Sequence, residues 1–372
     1  MYLQQYFIDG LGCVSYLIGC ESAGVAAAID PDRDVRKYVD TADAHGLKIT
    51  HIIETRLHAD HVSGNSDLAV LTGATIYVHP AANAAFEHHP LNDGDVITLG
   101  TVELQVQHTP EHTPESITLL VIDKPRAIEQ QLVFGDRQAV HQDRIREINR
   151  KGPNILGEIR RRGLNIQNAL ADLQRGAALL DLRSKADYKT RHIPGSIHLA
   201  ADDQLSTHAA FALPPDIPIV LLLADPDDYQ RVVYSLARVG FDDVIGYLAD
   251  SLQLWEAMRL PVTSGDVHDI TAAQLHDMLQ KVDANTPMVI DVREPSEQAS
   301  GHIPGAKLIP LGEFARQTKD FDLTRPVAVI CASGSRSQSA ASMLSQKGAE
   351  TVYNVLGGTL GWMQQGFPLE RG

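Results

Sequence analysis

The stretch RPVAVICASGSRSQSAA, residues 325–341, decides how the rest of this sequence is interpreted. Val327–Ile330 is an apolar run that ends in a Ser/Gly loop, which predicts a central parallel strand, and Ser339–Leu344 has a helical pattern. Cys331 is therefore predicted to lie at the carboxyl end of a strand, facing the N-terminus of a helix. Backbone N–H groups and the positive helix end converge on an anion at such a place, and Arg336 adds a formal charge.

These surroundings favour the thiolate form of Cys331, which is the nucleophilic form of a cysteine. Two chemistries use such a thiolate, and the length of the loop separates them. A phosphatase loop has one residue more between its cysteine and arginine than the stretch Ala332–Ser335 provides here. The shorter loop suits a terminal sulfur atom better than a phosphoryl group. The structural alternative is a buried, inert cysteine before a Ser-rich turn.

The loop resembles the active loop of the rhodanese sulfurtransferases, C-x-x-G-x-R, with Gly334 and Arg336 at the two fixed positions after Cys331. The resemblance implies that Cys331 and Arg336 are catalytic. It also implies that the rest of the loop binds the substrate, through Ala332, Ser333, Gly334, Ser335 and Ser337.

Composition limits the remaining possibilities. The chain has 372 residues with 44% hydrophobic side chains, enough for two or three domains with proper cores. A net charge of -15 argues against nucleic acid and anionic membranes as partners. Three cysteines are too few for a disulfide framework, and no apolar run approaches the length of a membrane span. We therefore expect a cytoplasmic protein whose partners are small sulfur anions and thiols.

The first third of the sequence places metal-type ligands after successive predicted strands. His58, Asp60 and His61 follow the strand Ile49–Ile53, and further candidates stand later in the chain. Histidine and carboxylate side chains at neighbouring strand ends form metal sites. The candidate ligands are His58, Asp60, His61, His112 and Asp136.

This region resembles the metallo-β-lactamase fold, and within it the persulfide dioxygenases that are often fused to rhodanese domains. Their motifs are T-H-x-H-A-D-H, T-P-G-H-T-P and T-G-D, and their single iron is held by the first histidine, the second-motif histidine and the third-motif aspartate. His112 and Asp136 match two of these ligands, but Arg56 occupies the first position. Because arginine stays protonated and would repel a cation, we expect a retained scaffold without working iron, although iron or zinc could bind in another arrangement.

The resemblance also predicts a shortened domain. Asp136 runs almost directly into the basic segment 144–163, so an internal deletion is the simplest explanation. A truncated metallo-β-lactamase-like αββα half would leave one sheet face uncovered, which is unfavourable in water. We therefore expect a homodimer formed through residues 1–143.

The rest of the chain contains an internal repeat. The motifs D-x-R and H-I-P-G begin at Asp181 and His192 and recur at Asp291 and His302, each 110 residues later. Two tandem α/β domains with parallel sheets are predicted, at 164–262 and 263–372, and both resemble rhodanese. The first copy has LLLADPDD at 221–228, opposite the cysteine loop, so we expect it to be inactive.

The predicted fold is thus α/β: a truncated metallo-β-lactamase-like half, a basic linker and two rhodanese-like domains. The predicted function is a sulfurtransferase that moves sulfane sulfur from thiosulfate or a persulfide to a thiol or cyanide through a Cys331 persulfide. No cofactor is needed for this reaction. The alternatives are an iron-dependent persulfide dioxygenase fused to rhodanese, and a sulfur carrier or interaction protein without turnover.

Overall fold

The computed structural model describes residues 1–110, 113–126, 128–132, 142–250, 252–264, 267–281, 283, 285–318 and 321–371. His112 and Asp136, two of the predicted metal ligands, lie outside these residues. The chain divides into two compact units. Unit 1 comprises Met1–Arg160 with Gln230–Asp242, and unit 2 comprises Arg161–Tyr229 with Asp243–Gly372.

Unit 1 contains two sheets among its described residues. The first has six strands in chain order: β1 Tyr2–Ile8, β2 Cys13–Cys20, β3 Val25–Ile29, β4 Lys48–Ile53, β5 Thr75–Val78 and β6 His89–Pro90. The second has the order β10-β9-β8-β7, formed by β7 Val96–Leu99, β8 Val102–His108, β9 Ile117–Asp123 and β10 Ile128–Leu132. The helices are α1 Arg36–Ala44, α2 Asn65–Thr72 and α3 Gln142–Lys151.

The two sheets of unit 1 pack face to face. One buried cluster joins Ile18, Ile29 and Ile53 of the first sheet to alternating residues of the second, such as Leu104 and Leu119. Alternation places these side chains on one face of each strand, so the sheets bury them against each other. The expectation of an uncovered sheet face is therefore wrong, because β7–β10 of the same chain cover it.

The other face of the first sheet is also covered. Tyr38 and Ala42 of α1 and Leu68 of α2 pack with Leu17 and Ile52 in a second buried cluster. Both faces of the first sheet are therefore covered, so an uncovered face no longer gives a reason to expect the homodimer through residues 1–143, which stays a prediction.

Light scattering on the whole chain tests it: a dimer mass is predicted, and a monomer at micromolar concentration would contradict it.

A buried ion pair ties the segment Gln230–Asp242 to the rest of unit 1. Arg238 donates from Nε to Oδ1 of Asp32 at 2.8 Å and from a terminal nitrogen to Oδ2 at 2.9 Å. Asp32 is fully buried, and burial would raise its pKa, but Arg238 and Lys37 outweigh burial and hold that pKa well below its usual range. Removing one partner of such a pair costs roughly 3–5 kcal/mol, so the contact fixes this segment firmly.

Unit 2 contains two parallel sheets of the same strand order. The first copy has the order β11-β15-β14-β12-β13, from β11 Gly163–Leu164, β12 Ala178–Asp181, β13 Ile197–His198, β14 Ile219–Leu222 and β15 Val244–Leu248. The second has β16-β20-β19-β17-β18, from β16 Val267–Thr271, β17 Met288–Asp291, β18 Lys307–Leu308, β19 Val327–Ile330 and β20 Val352–Leu356. The predicted repeat is confirmed, and β19 is the predicted central strand.

The helices that follow these strands recur in the same way. Those of the first repeat are α4 Ile166–Gln174, α5 Lys185–Thr190, α6 Leu205–Ala212, α7 Tyr229–Ala237 and α8 Leu252–Ala257. Those of the second are α9 Ala272–Leu279, α10 Pro295–Ala299, α11 Leu311–Gln317, α12 Ser335–Gln346 and α13 Gly358–Gln364. Among the residues that the structure describes, no helix combines the length and the apolarity that crossing a membrane requires.

The repeated D-x-R motifs hold the fold. The Arg293 guanidinium donates from Nε and from a terminal nitrogen to the fully buried Asp291, and also to the Gly301 carbonyl oxygen. Arg183 makes the same contact with Asp181 in the first copy. Because the pair occurs in both copies, with and without a cysteine, its role is structural.

Candidate active site

Cys331 lies where the sequence predicts it, directly after the central strand β19. All four residues of that strand are buried, and the cysteine is only 1% exposed. The loop that follows leads into α12, and Gly334 at its N-cap has φ +114°, a conformation that favours glycine.

Two donors converge on the sulfur. The Gly334 backbone N–H donates to Sγ of Cys331 at 3.1 Å, and the Ser337 hydroxyl lies 3.4 Å from it. Hydrogen bonds of this kind favour the charged form of a buried thiol. The Gly334 N–H and the Ser337 hydroxyl are therefore the described donors in contact with this sulfur.

The carbonyl groups of Cys331 and Ala332 are bound by α13. Thr359 N–H donates to the Cys331 carbonyl oxygen at 2.8 Å, and Leu360 N–H donates to the Ala332 carbonyl oxygen at 3.1 Å. The first N–H groups of a helix have no partner within the helix, so they are free to take this role. The loop can consequently offer N–H groups to the thiol.

Gly358 makes this docking possible. A Cβ atom at Gly358 would lie 2.2 Å from the Cys331 carbonyl oxygen and 2.4 Å from that of Ala332. Sequence reasoning missed this glycine, although the repeat carries a signal. Between β15 and α8 the first copy has Ala249-Asp250-Ser251 and lacks a Gly-Gly pair.

Arg336 lies close enough to Cys331 to interact with it electrostatically, and its guanidinium is bound by Glu297 of α10. Both terminal nitrogens donate to the two carboxylate oxygens at 2.7 Å, a bidentate geometry. These hydrogen bonds lower the pKa of Glu297. The arginine is thus positioned by a carboxylate that sequence reasoning did not identify.

A polar chain extends from the sulfur to the first copy. The Ser337 hydroxyl also lies 2.7 Å from Asn354 Oδ1, and Asn354 donates to Asp269 at 2.9 Å. Asp269 in turn accepts hydrogen bonds from Lys185, at 3.1 Å, and from Lys189. Because a hydroxyl has one proton, Ser337 can turn it toward the sulfur, toward Asn354 Oδ1 or toward the Gly334 carbonyl oxygen, which lies 3.1 Å away.

The other loop residues predicted to bind the substrate have no described side chain in contact with the Cys331 sulfur. Ala332 is half-buried and Ser333 is exposed, and only their backbone is placed to contribute. The side chain of Ser335 lies outside the described residues. Among the described side chains of the loop, Ser337 is therefore the one that reaches the sulfur.

The first copy lacks each element of this arrangement. Leu223 follows β14 where Cys331 follows β19, and Asp228 stands opposite Arg336. Asp225 and Asp227 are exposed in the intervening turn. A leucine among carboxylates offers neither a nucleophile nor an anion site.

The predicted metal ligands of unit 1 that the structure describes do come together, in a fully buried cluster with side chains that sequence reasoning missed. His58 Nε2 lies 3.1 Å from Asp30 Oδ1 and 3.5 Å from Glu54 Oε2. His61 Nδ1 lies 3.1 Å from Asp60 Oδ1. The cluster consists of Cys13, Asp30, Glu54, Arg56, His58, Asp60 and His61.

The charges in this cluster balance one another. Burial alone would lower the pKa of His58, but the Asp30 carboxylate outweighs burial and raises it to about 10. Burial raises the pKa of Glu54 to about 7. At neutral pH, His58 is therefore an imidazolium between acidic partners, and Arg56 lies 3.9 Å from Asp60.

Two groups of described side chains have the residue types of a metal site. They bring three ligand atoms within 4.8 Å of one another: Cys13, Asp60 and His61, and Asp30, Glu54 and His58. In the first, the Cys13 thiol donates to Asp60 at 2.8 Å and the Arg56 guanidinium stands beside that carboxylate, where it would repel a cation.

Comparison with known proteins gives two kinds of match, one to rhodanese-like domains and one to proteins of the metallo-β-lactamase fold. The family model of the rhodanese-like domain matches residues 166–258 and 271–365. Residues of the chain are 33% identical over 93 positions to a thiosulfate sulfurtransferase GlpE of Pseudoalteromonas translucida, covering 25% of this chain and 86% of that one.

The chain also has relatives of the metallo-β-lactamase fold. It is 41% identical over 102 residues to a hydroxyacylglutathione hydrolase of Polaromonas sp., and the match covers 27% of this chain but only 38% of the hydrolase. A metallo-β-lactamase structure from Staphylococcus aureus aligns with a TM-score of 0.57 at 22% identity, covering 66% of this chain and 98% of that one. At this level of identity the likeness shows the fold alone.

Replacing Gly358 with alanine tests the docking of α13 on the loop. The new Cβ would collide with two carbonyl oxygens, so the helix must move and the loop carbonyls are released toward the sulfur. Loss of preorganised donors typically costs about 10²–10³-fold in rate, and we expect Gly358→Ala to lower sulfur transfer from thiosulfate to cyanide by about 100-fold.

Gly366→Ala is the matched control. Gly366 also has a positive φ, +70°, but among the described residues no atom would lie within 4 Å of a Cβ added there. This variant should keep its activity. Fluorescence of the buried Trp362 on α13 shows whether each variant is folded. Equal activity of the two variants would contradict the role given to α13.

Arg336 and Glu297 should affect the reactivity of Cys331 in opposite directions. Arg336→Ala removes a positive charge near the sulfur and should slow alkylation of Cys331 at a fixed pH, whereas Glu297→Gln removes the opposing negative charge and should speed it. A nearby positive charge favours the nucleophilic form of a thiol. The rate of iodoacetamide labelling, measured at the Cys331 peptide, gives both values.

Arg316→Ala is the control for this experiment, since Arg316 is exposed and paired with Glu313 on α11. It should leave the labelling rate unchanged. If Arg336→Ala and Glu297→Gln change the labelling rate in the same direction, the pair only holds the loop in place.

Proposed function

This chain belongs to the rhodanese family, and we propose that it is a sulfurtransferase that carries sulfane sulfur on Cys331. One observation supports the proposal above all: a buried cysteine sulfur accepts the Gly334 N–H while the neighbouring carbonyl groups are bound by α13. This geometry stabilises an anion at the sulfur before and after sulfur transfer.

In the first half-reaction the Cys331 thiolate attacks the outer sulfur of thiosulfate. A bond forms between Sγ and that sulfur, the sulfur–sulfur bond of thiosulfate breaks, and sulfite leaves with the bonding electron pair. Charge is conserved, and Cys331 is left as a persulfide anion. A persulfide donor reacts in the same way and releases a thiolate.

In the second half-reaction an acceptor takes the outer sulfur. Cyanide attacks it to form thiocyanate, or a thiol takes it to become a persulfide, and the Cys331 thiolate is restored. The negative charge therefore alternates between Sγ and the sulfur attached to it. Gly334 and Ser337 lie within reach of Sγ, and Arg336 contributes its field in both states.

Unit 1 has a different role in this proposal. The guanidinium of Arg56 stands 3.9 Å from the Asp60 carboxylate and would repel a cation there, so we propose a scaffold without catalytic iron or zinc. This argues against the persulfide dioxygenase alternative. Metal analysis of the purified protein tests it: bound iron together with oxygen uptake on a persulfide would contradict the proposal.

We propose that the protein works in a reducing compartment such as the cytoplasm. A catalytic thiol must stay reduced between turnovers. All three cysteines, Cys13, Cys20 and Cys331, lie among the described residues, and none of them forms a disulfide.

Replacing Cys331 with serine tests the proposed function. A serine hydroxyl at this position neither ionises nor forms a persulfide, so sulfur transfer from thiosulfate to cyanide should disappear. Cys20→Ser is the matched control, because Cys20 is also 1% exposed and hydrogen bonded, at 3.2 Å to Ser22, and it should remain active. Residual turnover of Cys331→Ser close to the original chain would refute the proposal. Sulfur loading without repeated turnover in the original chain would favour the carrier alternative.

A further inference from the structure

Ser337 lies among three hydrogen-bond acceptors. Its hydroxyl oxygen is 3.4 Å from Sγ of Cys331, 3.1 Å from the Gly334 carbonyl oxygen and 2.7 Å from Asn354 Oδ1. A hydroxyl group has one proton, so it serves one of these acceptors at a time. Its direction therefore depends on which acceptor binds the proton most strongly.

Two of the three acceptors compete for this proton. The Gly334 carbonyl oxygen already accepts a hydrogen bond from the Gln338 N–H at 3.3 Å. Asn354 is fully buried, and among the described residues Ser337 is the donor to its Oδ1. A buried acceptor without a donor is unfavourable, and an anionic acceptor forms a stronger hydrogen bond than a neutral one. The hydroxyl is therefore drawn to Sγ when that sulfur is charged and to Asn354 when it is not.

The amide of Asn354 is held in one orientation. Its Nδ2 donates to Asp269 at 2.9 Å. Burial would raise the pKa of Asp269, but hydrogen bonds from two lysines and from Asn354 lower it. Because an ionised carboxylate only accepts hydrogen bonds, Nδ2 has to face Asp269, and Oδ1 has to face Ser337. The two lysines are Lys185 and Lys189 of α5, so the first copy helps to fix this acceptor.

The open side of the active loop lies away from this polar chain. Ser337 and Asn354 are both fully buried. A cavity of about 410 Å³ opens beside the loop, and it is bordered by Ser333 and Gly334 of the loop and by segments 182–185 and 198–202 of the first copy. A sulfur donor approaches Cys331 from the cavity, so the outer sulfur of a persulfide lies about 2 Å beyond Sγ on that side. Charge on the outer sulfur is thus further from Ser337 than charge on Sγ.

Sulfur transfer moves the charge between these two places. When the Cys331 thiolate attacks the outer sulfur of thiosulfate, a bond forms between Sγ and that sulfur, the sulfur–sulfur bond of thiosulfate breaks, and sulfite leaves with the bonding electron pair. The negative charge is then on the outer sulfur. Sγ has become a neutral, weak acceptor.

We propose that Asn354 is a positioning residue for this reaction: its Oδ1 accepts the Ser337 hydrogen bond while the outer sulfur carries the charge, and Sγ accepts that hydrogen bond when the charge returns. The proton stays on Ser337 throughout, and only the direction of the hydroxyl changes. The inference rests on the proposed function and assigns a role to a residue that does not touch the sulfur. Asn354 stabilises the loaded state, and Ser337 alone stabilises the unloaded one.

The loading equilibrium of Cys331 tests this proposal on the full chain. The protein is equilibrated with thiosulfate and sulfite at several ratios, and the persulfide on the Cys331 peptide is quantified by mass spectrometry after alkylation. Ser337→Ala removes a donor to the thiolate and should raise the loading constant by about tenfold. Asn354→Leu removes the acceptor used in the loaded state and should lower that constant by about tenfold, the value of one hydrogen bond to a buried group.

Asp269→Asn changes the orientation of the amide with a smaller alteration. An amide at position 269 donates as well as accepts, so Asn354 is free to turn its Nδ2 toward Ser337, whose proton then goes to Sγ. The loading constant should fall, by less than in Asn354→Leu. The Asp269 side chain is 22% exposed, so this variant tests the proposal without changing a fully buried position.

Ser342→Ala is the matched control for Ser337→Ala. Ser342 is also a buried serine of α12, and its hydroxyl donates to the Gln338 carbonyl oxygen at 3.1 Å, away from the sulfur. It should leave the loading constant unchanged. A shift as large as that of Ser337→Ala would show that any buried hydroxyl of α12 has this effect, and would overturn the inference.

The outcomes separate the two proposals. The inference is overturned if Ser337→Ala and Asn354→Leu shift the loading constant in the same direction, or if either leaves it unchanged. If Asn354→Leu does not fold, Asp269→Asn decides: a lower constant supports the inference, and an unchanged or higher one overturns it.

A chain that takes no sulfur from thiosulfate refutes the proposed function instead. The rate of iodoacetamide labelling of Cys331 at a fixed pH then decides the inference, because labelling needs no sulfur transfer and the charge on Sγ also depends on the thiol proton. Slower labelling of Ser337→Ala together with faster labelling of Asn354→Leu supports it. Changes in the same direction, or no change in either variant, overturn it.

Discussion

A buried thiolate tolerates N–H groups beside it and not carbonyl oxygens, and the second copy of unit 2 is arranged around that constraint. The Cys331 and Ala332 carbonyl oxygens accept hydrogen bonds from Thr359 and Leu360, which turns the loop so that Gly334 N–H meets the sulfur. Gly358 allows the close approach. The strand β19, the loop and the two helices α12 and α13 therefore form one structure around the buried sulfur of Cys331.

The first copy of unit 2 has the same scaffold but no cysteine at the corresponding position. It keeps the strand order and the Asp181–Arg183 pair, but it has lost the thiol, the arginine and the glycine pair. Its loops instead form one wall of the cavity beside the active loop, and Lys185 connects it to Asp269. A copy without the cysteine thus contributes to the surroundings of the copy that has it.

Local patterns predicted much of this structure, and long-range contacts account for what they missed. Cys331 at the end of a buried strand and the repeated parallel sheets follow from apolar runs and from a constant offset along the chain. Glu297, 39 residues from Arg336, and Asp30, 28 residues from His58, become partners only when the chain folds. The same holds for the sheet β7–β10, whose alternation is visible in sequence but whose packing on the first sheet is not.

Sulfur mapping tests the central claim most directly. The whole chain is incubated with thiosulfate, freed of excess reagent, alkylated, digested and analysed by mass spectrometry. The account predicts one added sulfur atom per chain, on the peptide that contains Cys331, and its loss on addition of cyanide. Added sulfur on a peptide with Cys13 or Cys20, or none on the Cys331 peptide, would contradict it.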